Sequence, residues 1–256
     1  MRFLAALSFL TIIPVPHLRP ASPEEIRGSL RYFPVVGLII GLILAGLSRL
    51  LGLLLPPAVV NALLIVAMVA VSGALHLDGF IDTCDGLAGH RSVDERWHIM
   101  HDSRAGAFGI TGVILLLLVK YVLLNSVPTT LLMGTLVLVP VVGRWAMVYA
   151  VFAYPYARPS GLGKVFKEGP NRLSFTLATI MALAVAAGVA WWANIAYFYL
   201  AGPAVVLGTW MIVLMVAAYL KGKFAGLTGD TYGSINEVTE VCVLILIVMA
   251  AHNQWL

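Results

Sequence analysis

Apolar residues run in blocks of about twenty along nearly the whole of this 256-residue chain, with polar residues gathered in the gaps. Seven blocks are long enough to cross the roughly 30 Å hydrocarbon layer as helices. They lie near 33–54, 57–75, 107–126, 130–153, 173–193, 197–219 and 234–251. The connections alternate between two kinds. Those near 55–57, 127–129 and 194–196 are short and uncharged, whereas 1–32, 76–106, 154–172 and 220–233 hold 13 of the 16 Lys and Arg residues. Short loops rich in Lys and Arg stay cytoplasmic, which predicts an amino terminus inside and a carboxyl terminus outside. The pattern therefore predicts an all-α, multi-spanning transmembrane helical bundle of about seven spans, a single integral domain over 1–256. The opening MRFLAALSFLTIIPVP is too short to span, and Pro14 and Pro16 stand where a signal peptide needs small residues at its cleavage site. It predicts a retained amino-terminal interfacial helix.

Composition agrees: 61% of residues are hydrophobic and 11% charged, against about 25% charged in soluble domains. The lipid bilayer is the first partner implied. The net charge of +4 reports orientation rather than nucleic-acid binding, because no basic patch with interleaved aromatics accompanies it. Cys84 and Cys242 lie in different settings and predict free thiols, not a disulfide framework. Gly37 and Gly41, four residues apart, predict close helix packing. Both a monomer and a homo-oligomer accommodate such a chain.

The acidic residues change the picture most. Ten of twelve lie in the charged connections, and the other two, Glu237 and Glu240, sit at the start of the last span. Acids contribute little to topology, so their one-sidedness points to a working surface at the cytoplasmic face. HLDGFIDTCDG (76–86) follows an uncharged run directly. If the second span continues as a helix, steps of four and seven residues turn Asp78, Asp82 and Asp85 through about 40° and about −20°, onto one face. Three carboxylates that close would repel and raise one another's pKa unless a hard divalent cation sat among them. Oxygen-only ligands favour Mg²⁺, Mn²⁺ or Ca²⁺ over zinc. Gly79 and Gly86 leave room for a phosphate or a backbone to approach.

Further motifs lie at the same end. IMHDSRAGAFG (99–109) puts Asp102, Ser103 and Arg104 before a glycine-rich helix entry, an anion site with phosphate as the expected anion. YARPSGLGKVF (156–166) lacks the spacing of a P-loop, and its Arg158 and Lys164 either contact phosphate or serve topology. TGDTYGSINEVTE (228–240) offers Asp230, with Glu240 either completing the cation site or acting as a helix-entry charge. His76 reads as an interfacial residue, and His90, His98 and His101 are too scattered for a metal site. Within the spans, Arg144 is predicted to face the bundle interior, within reach of a phosphate, and Lys120 to snorkel to the opposite surface.

Together, HLDGFIDTCDG, MHDSRAGAFG, YARPSGLGKVF and TGDTYGSINEVTE resemble the cobalamin synthase family, also called adenosylcobinamide-GDP ribazoletransferase, in order and across most of the chain. His101 stands where the family commonly has Arg or Lys. The resemblance implies a Mg²⁺-dependent phosphotransferase at the inner membrane, with its active site on the cytoplasmic face. Its substrates would be adenosylcobinamide-GDP and α-ribazole or its 5′-phosphate, yielding adenosylcobalamin or its 5′-phosphate with release of GMP. Phosphoryl transfer asks the protein mainly for positioning, charge neutralisation and a base. Asp78, Asp82 and Asp85, with Glu240, are then the metal candidates, and Asp82, Asp85 or Asp102 the base. Gly79, Gly86, Ser103, Arg104, Arg144, Arg158, Lys164 and Asp230 are the substrate contacts. Two rivals remain. A CDP-alcohol phosphotransferase shares D-x-x-D-G at Asp82, Asp85 and Gly86, but Gly89-His90 replaces its Ala-Arg pair. A cation transporter would place its acids near the bilayer midplane, not at one surface.

Overall fold

A computed structural model describes residues 1–15, 19–168, 172–195 and 198–255. Every named element is a helix: α1 (Arg2–Leu10), α2 (Pro23–Ser29), α3 (Phe33–Gly52), α4 (Pro57–Val71), α5 (Leu75–Leu87), α6 (Val93–Ile99), α7 (Ala107–Ser126), α8 (Thr129–Ala153), α9 (Leu162–Lys167), α10 (Arg172–Trp192), α11 (Phe198–Phe224) and α12 (Gly229–His252), with a 3₁₀ turn at Leu30–Tyr32. Six helices among the described residues are long and apolar enough to cross a membrane, or up to seven with α4 and α5 taken together. The chain is a multi-span helical bundle, as its apolar blocks predict.

Two helices form the centre. In α8 and α12, 83% and 61% of the apolar window is buried, against 22–33% in the other long helices, which keep wide apolar faces outward. Helices α3 and α10 pack onto α8, and α5, α7 and α11 onto α12, with small residues at several of the helix contacts. A Cβ on Gly37 of α3 would lie 2.5 Å from the Pro140 carbonyl oxygen of α8, and one on Gly41 would lie 2.6 Å from Val137 Cα. This is the close packing that their spacing predicts. Ala178, Ala182 and Ala186 make a fully buried stripe along α10. Beside it, Gly202 of α11 has no room for a Cβ against the Ala186 carbonyl.

One expected span is broken. The apolar run 57–75 predicts one helix leading straight into the aspartates, but α4 stops at Val71. Ser72 turns its hydroxyl back onto the Met68 and Val69 carbonyls, and Gly73 and Ala74 take left-handed φ angles of 60° and 57°. Such conformations end a helix. The Ile12 N–H satisfies the freed Val71 carbonyl at 2.9 Å, so the segment after α1 seals the break. The chain then turns by 89° into α5, which leaves the span direction and lies across the charged end of the bundle.

The charged end is laced together by capping and by one short bridge. Capping boxes start α2 (Ser22 with Glu25), α6 (Ser92 with Glu95) and α12 (Thr228 with Thr231). The segment after α8 pairs with the turn before α12: the Ala157 N–H donates to the Leu227 carbonyl at 2.8 Å, and the Leu227 N–H to Pro155 at 2.9 Å. This pairing sets Arg158 opposite the first turn of α12.

Candidate active site

Helix α5 lies against the amino-terminal turns of α12 because both lack side chains at the crossing. A Cβ on Gly79 would lie 2.7 Å from the Asp230 carbonyl oxygen, and one on Gly233 would lie 3.1 Å from His76 Cα. Gly79 thus admits a backbone rather than a substrate. Beside the crossing opens a cavity of about 330 Å³, within the usual range for small-molecule sites. Asp78, Asp230, Arg158, His101 and Tyr156 line its polar part, and phenylalanines, Met147 and Val151 its apolar part. Arg158 Nη2 sits 2.9 Å from Asp230 Oδ2, and burial holds the Tyr156 phenol above its ordinary pKa.

The three aspartates of α5 share one helix but not one destination. Asp78 faces the cavity. Asp82, one turn on, is half-buried, and its carboxyl is pushed up to about 7, first by burial and then by the charges of Asp230 and Asp78. Asp85 is turned away. Its two oxygens accept the N–H groups of Gly106 at 2.7 Å and Gly109 at 2.8 Å, at the start of α7. A Cβ on either glycine would come within 2.5 Å of that carboxylate. The glycine-rich helix entry is therefore an anion site, as expected, but the anion is Asp85 of the same chain rather than phosphate. A carboxylate there meets the helix dipole and two orphan donors together.

Other predicted site residues are also placed differently. Glu240, offered as a metal ligand, is buried, accepts a hydrogen bond from Lys120 Nζ at 2.6 Å and pairs with Arg144. Arg144, offered as a phosphate contact, is itself 1% exposed and held by Glu240. Lys120 does not snorkel: it is buried and bonds Glu237 and Glu240, each at 2.6 Å. Gly86 is a packing position, where a Cβ would meet Met100 and Phe224. Asp102 and Arg104 pair with each other on an exposed turn that also carries Ser103. The Arg104 side chain, and then its backbone N–H, hold the Asp102 carboxyl down at about 2. Lys164 Nζ donates to the Pro159 carbonyl at 2.7 Å, outside the cavity lining. Both cysteines are free.

Other residues acquire roles that their spacing did not announce. His76 is buried, not interfacial, with Nδ1 3.5 Å from Arg144 Nη2. Tyr156 and Tyr232 stand ring against ring at the cavity, 6.4 Å apart. Arg96 caps the end of α5, donating to the Gly86 and Gly89 carbonyls at 2.6 and 3.1 Å. Only YARPSG and TGDTYG, already prominent as motifs, carried a signal for the tyrosines.

Among the described residues no three His, Cys, Asp or Glu side chains converge tightly enough to hold a metal ion by themselves. The donors fit a hard cation in another form. Mg²⁺ takes one or two carboxylates and completes its shell with water and substrate phosphate. Burial first, and then the charges of Asp230 and Asp78, push the Asp82 carboxyl up, and a cation would relieve the repulsive part of that shift.

Comparison with known proteins gives the same direction. The family model for Cobalamin-5-phosphate synthase matches residues 2–248. Similar relatives include adenosylcobinamide-GDP ribazoletransferases from Roseiflexus sp. (strain RS-1), 37% identical over 96% of this chain and 88% of that protein, and from Geotalea daltonii, 36% identical over 96% of each. The Synechococcus sp. relative is 38% identical over 94% of this chain and 93% of its own length. No solved structure matches the chain.

Proposed function

The chain belongs to the Cobalamin-5-phosphate synthase family, and from that premise we propose that it transfers the adenosylcobinamide phosphoryl group of adenosylcobinamide-GDP to α-ribazole or its 5′-phosphate, at the cytoplasmic face of the inner membrane. The acceptor's ribose 5′-hydroxyl oxygen attacks the cobinamide-side phosphorus. The new P–O bond forms as the phosphoanhydride bond breaks, GMP leaves, and the hydroxyl proton passes to a carboxylate. The products are adenosylcobalamin, or its 5′-phosphate, and GMP.

One observation carries this reading: an ionisable cluster at the charged end of the bundle, with Asp78, Asp230 and Arg158 lining a cavity between α5 and α12 and Asp82, outside the lining, within electrostatic reach of Asp230 and Asp78. Arg158 has the geometry to grip phosphate oxygens. Asp78 and Asp82 are the residues that would hold Mg²⁺, which when bound neutralises the diphosphate and its leaving group. Asp230 holds Arg158 in place, and Asp82 in its ionised form is the proposed proton acceptor, through the carboxylate oxygen that the cation would leave free. Asp85 acts one step back, by tying α5 to the start of α7. Asp102 and Arg104 pair with each other, Arg144 and Glu240 are tied together in the bundle interior, and Lys164 is held by the Pro159 carbonyl; none of these is assigned to the chemistry.

The test is purified protein in detergent with adenosylcobinamide-GDP and α-ribazole, with Mg²⁺ or with EDTA. GMP release that needs both α-ribazole and the divalent ion is the expected result. GMP release independent of α-ribazole, or none with Mg²⁺ present, would overturn the proposal.

A further inference from the structure

The cavity has an apolar floor that phosphate chemistry does not explain. Phe9, Phe33 and Phe166 form a three-ring cluster with centroids 5.2 to 6.1 Å apart, and Met147 and Val151 of α8 continue the surface. Two polar groups interrupt it. His76 is 1% exposed and Tyr232 3% exposed, both line the cavity, and neither His76 Nε2 nor the Tyr232 hydroxyl has a hydrogen-bond partner among the described residues.

Buried polar atoms without partners are costly, so two of them at one cavity call for a ligand. Their chemistry narrows it. His76 Nδ1 faces a guanidinium nitrogen of Arg144 at 3.5 Å, and guanidinium has donors only. Nδ1 is therefore the acceptor and Nε2 carries the ring proton. The tyrosine hydroxyl can donate as well, so two unused hydrogen-bond donors lie just beneath the aromatic and aliphatic walls, on residues that line the cavity. A phosphate would lose its hydration against such walls. A flat heteroaromatic ring with an unsubstituted, unprotonated nitrogen would bury its faces and satisfy a donor.

Resting on the transferase reading above, we propose that this floor is the subsite for the heteroaromatic base of the acceptor nucleoside, and that Tyr232 and His76 read the base's free ring nitrogen. The sugar then extends toward the polar wall, bringing its 5′-hydroxyl to the Asp78 and Asp82 end, while the phosphates of the other substrate lie at Arg158. Tyr232 and His76 are specificity-determining residues that touch substrate away from the reacting atoms.

The experiment compares wild type and Tyr232→Phe with two acceptors: α-ribazole, and the dimethylindole α-riboside in which carbon replaces the free nitrogen. Wild type is expected to show a KM for the indole compound roughly tenfold or more above that for α-ribazole. Tyr232→Phe should raise the α-ribazole KM by a similar factor, shrink the gap between the two acceptors, and leave the KM for adenosylcobinamide-GDP unchanged. A merely structural role would move both substrates' KM values and preserve the gap. Should the variant fail to fold, the wild-type gap alone decides. Turnover by wild type with equal KM for the two acceptors, or a gap untouched in Tyr232→Phe, overturns the subsite and leaves the transferase reading standing. No turnover by wild type with α-ribazole overturns both.

Discussion

Glu240→Gln is expected to be the most destabilising single-atom change in the bundle. The Glu240 carboxylate receives Lys120 from α7 and Arg144 from α8, and Asn236 one turn earlier donates to it at 3.1 Å. Glu237 takes the other side of Lys120 at 2.6 Å. Two cations and two anions make a buried, electrically neutral set that joins three helices. Removing one carboxylate leaves a net positive charge among residues no more than 5% exposed. Breaking a buried pair costs about 3–5 kcal/mol, much more than the intact pair contributes. Thermal unfolding in detergent should therefore show a large fall for Glu240→Gln and for Lys120→Met. The double variant, neutral again, should lose less than the two single losses summed. Strict additivity, or a Glu240→Gln protein as stable as wild type, would refute this role.

Asp82→Asn should separate stability from function. The carboxyl of Asp82 must be ionised either to hold a cation or to accept a proton, and the amide can do neither, so transfer should fall by roughly 10²- to 10⁴-fold. In divalent-free buffer the same substitution should stabilise the fold modestly. Folding raises the Asp82 pKa from 3.8 to about 7, so the native state binds the proton more tightly than the unfolded chain. Its contribution to stability is then intact at low pH and is lost as pH rises from about 4 to about 7. Melting temperatures measured across that range with EDTA should decline less steeply for Asp82→Asn than for wild type. A variant with unchanged turnover, or one with a steeper decline, would contradict the placement of Asp82 among repelling carboxylates.

The spans were legible because length and apolarity are local properties. Six of the long helices fall close to the apolar blocks, and the glycine pair of α3 meets α8 as its spacing implies. The break after Val71 was not legible, because Ser72, Gly73 and Ala74 sit inside a continuous apolar run and only the left-handed backbone of Gly73 and Ala74 turns the chain. Helical arithmetic puts Asp78, Asp82 and Asp85 on one face of a helix, yet it could not show that Asp85 turns to Gly106 and Gly109, whose N–H groups and missing side chains receive its carboxylate. Partners distant in sequence account for the other misplacements. For an isolated helix, snorkelling is the cheapest fate for Lys120; in the bundle, Glu237 and Glu240 lie more than a hundred residues later and offer a better one. Asp230 and Arg158 belong to motifs far apart in sequence, and the short pairing of Ala157 with Leu227 is what sets them face to face.

We propose that Asp78 and Asp82 together hold a divalent ion against the diphosphate beside the α5–α12 cavity. Manganese in place of magnesium gives the most direct measurement, by electron paramagnetic resonance of the purified protein with adenosylcobinamide-GDP. One tightly bound Mn²⁺ is expected, with hyperfine coupling to phosphorus, and both the tight binding and the coupling should be lost in Asp78→Asn and Asp82→Asn. Tight Mn²⁺ binding and phosphorus coupling that survive both substitutions would contradict it.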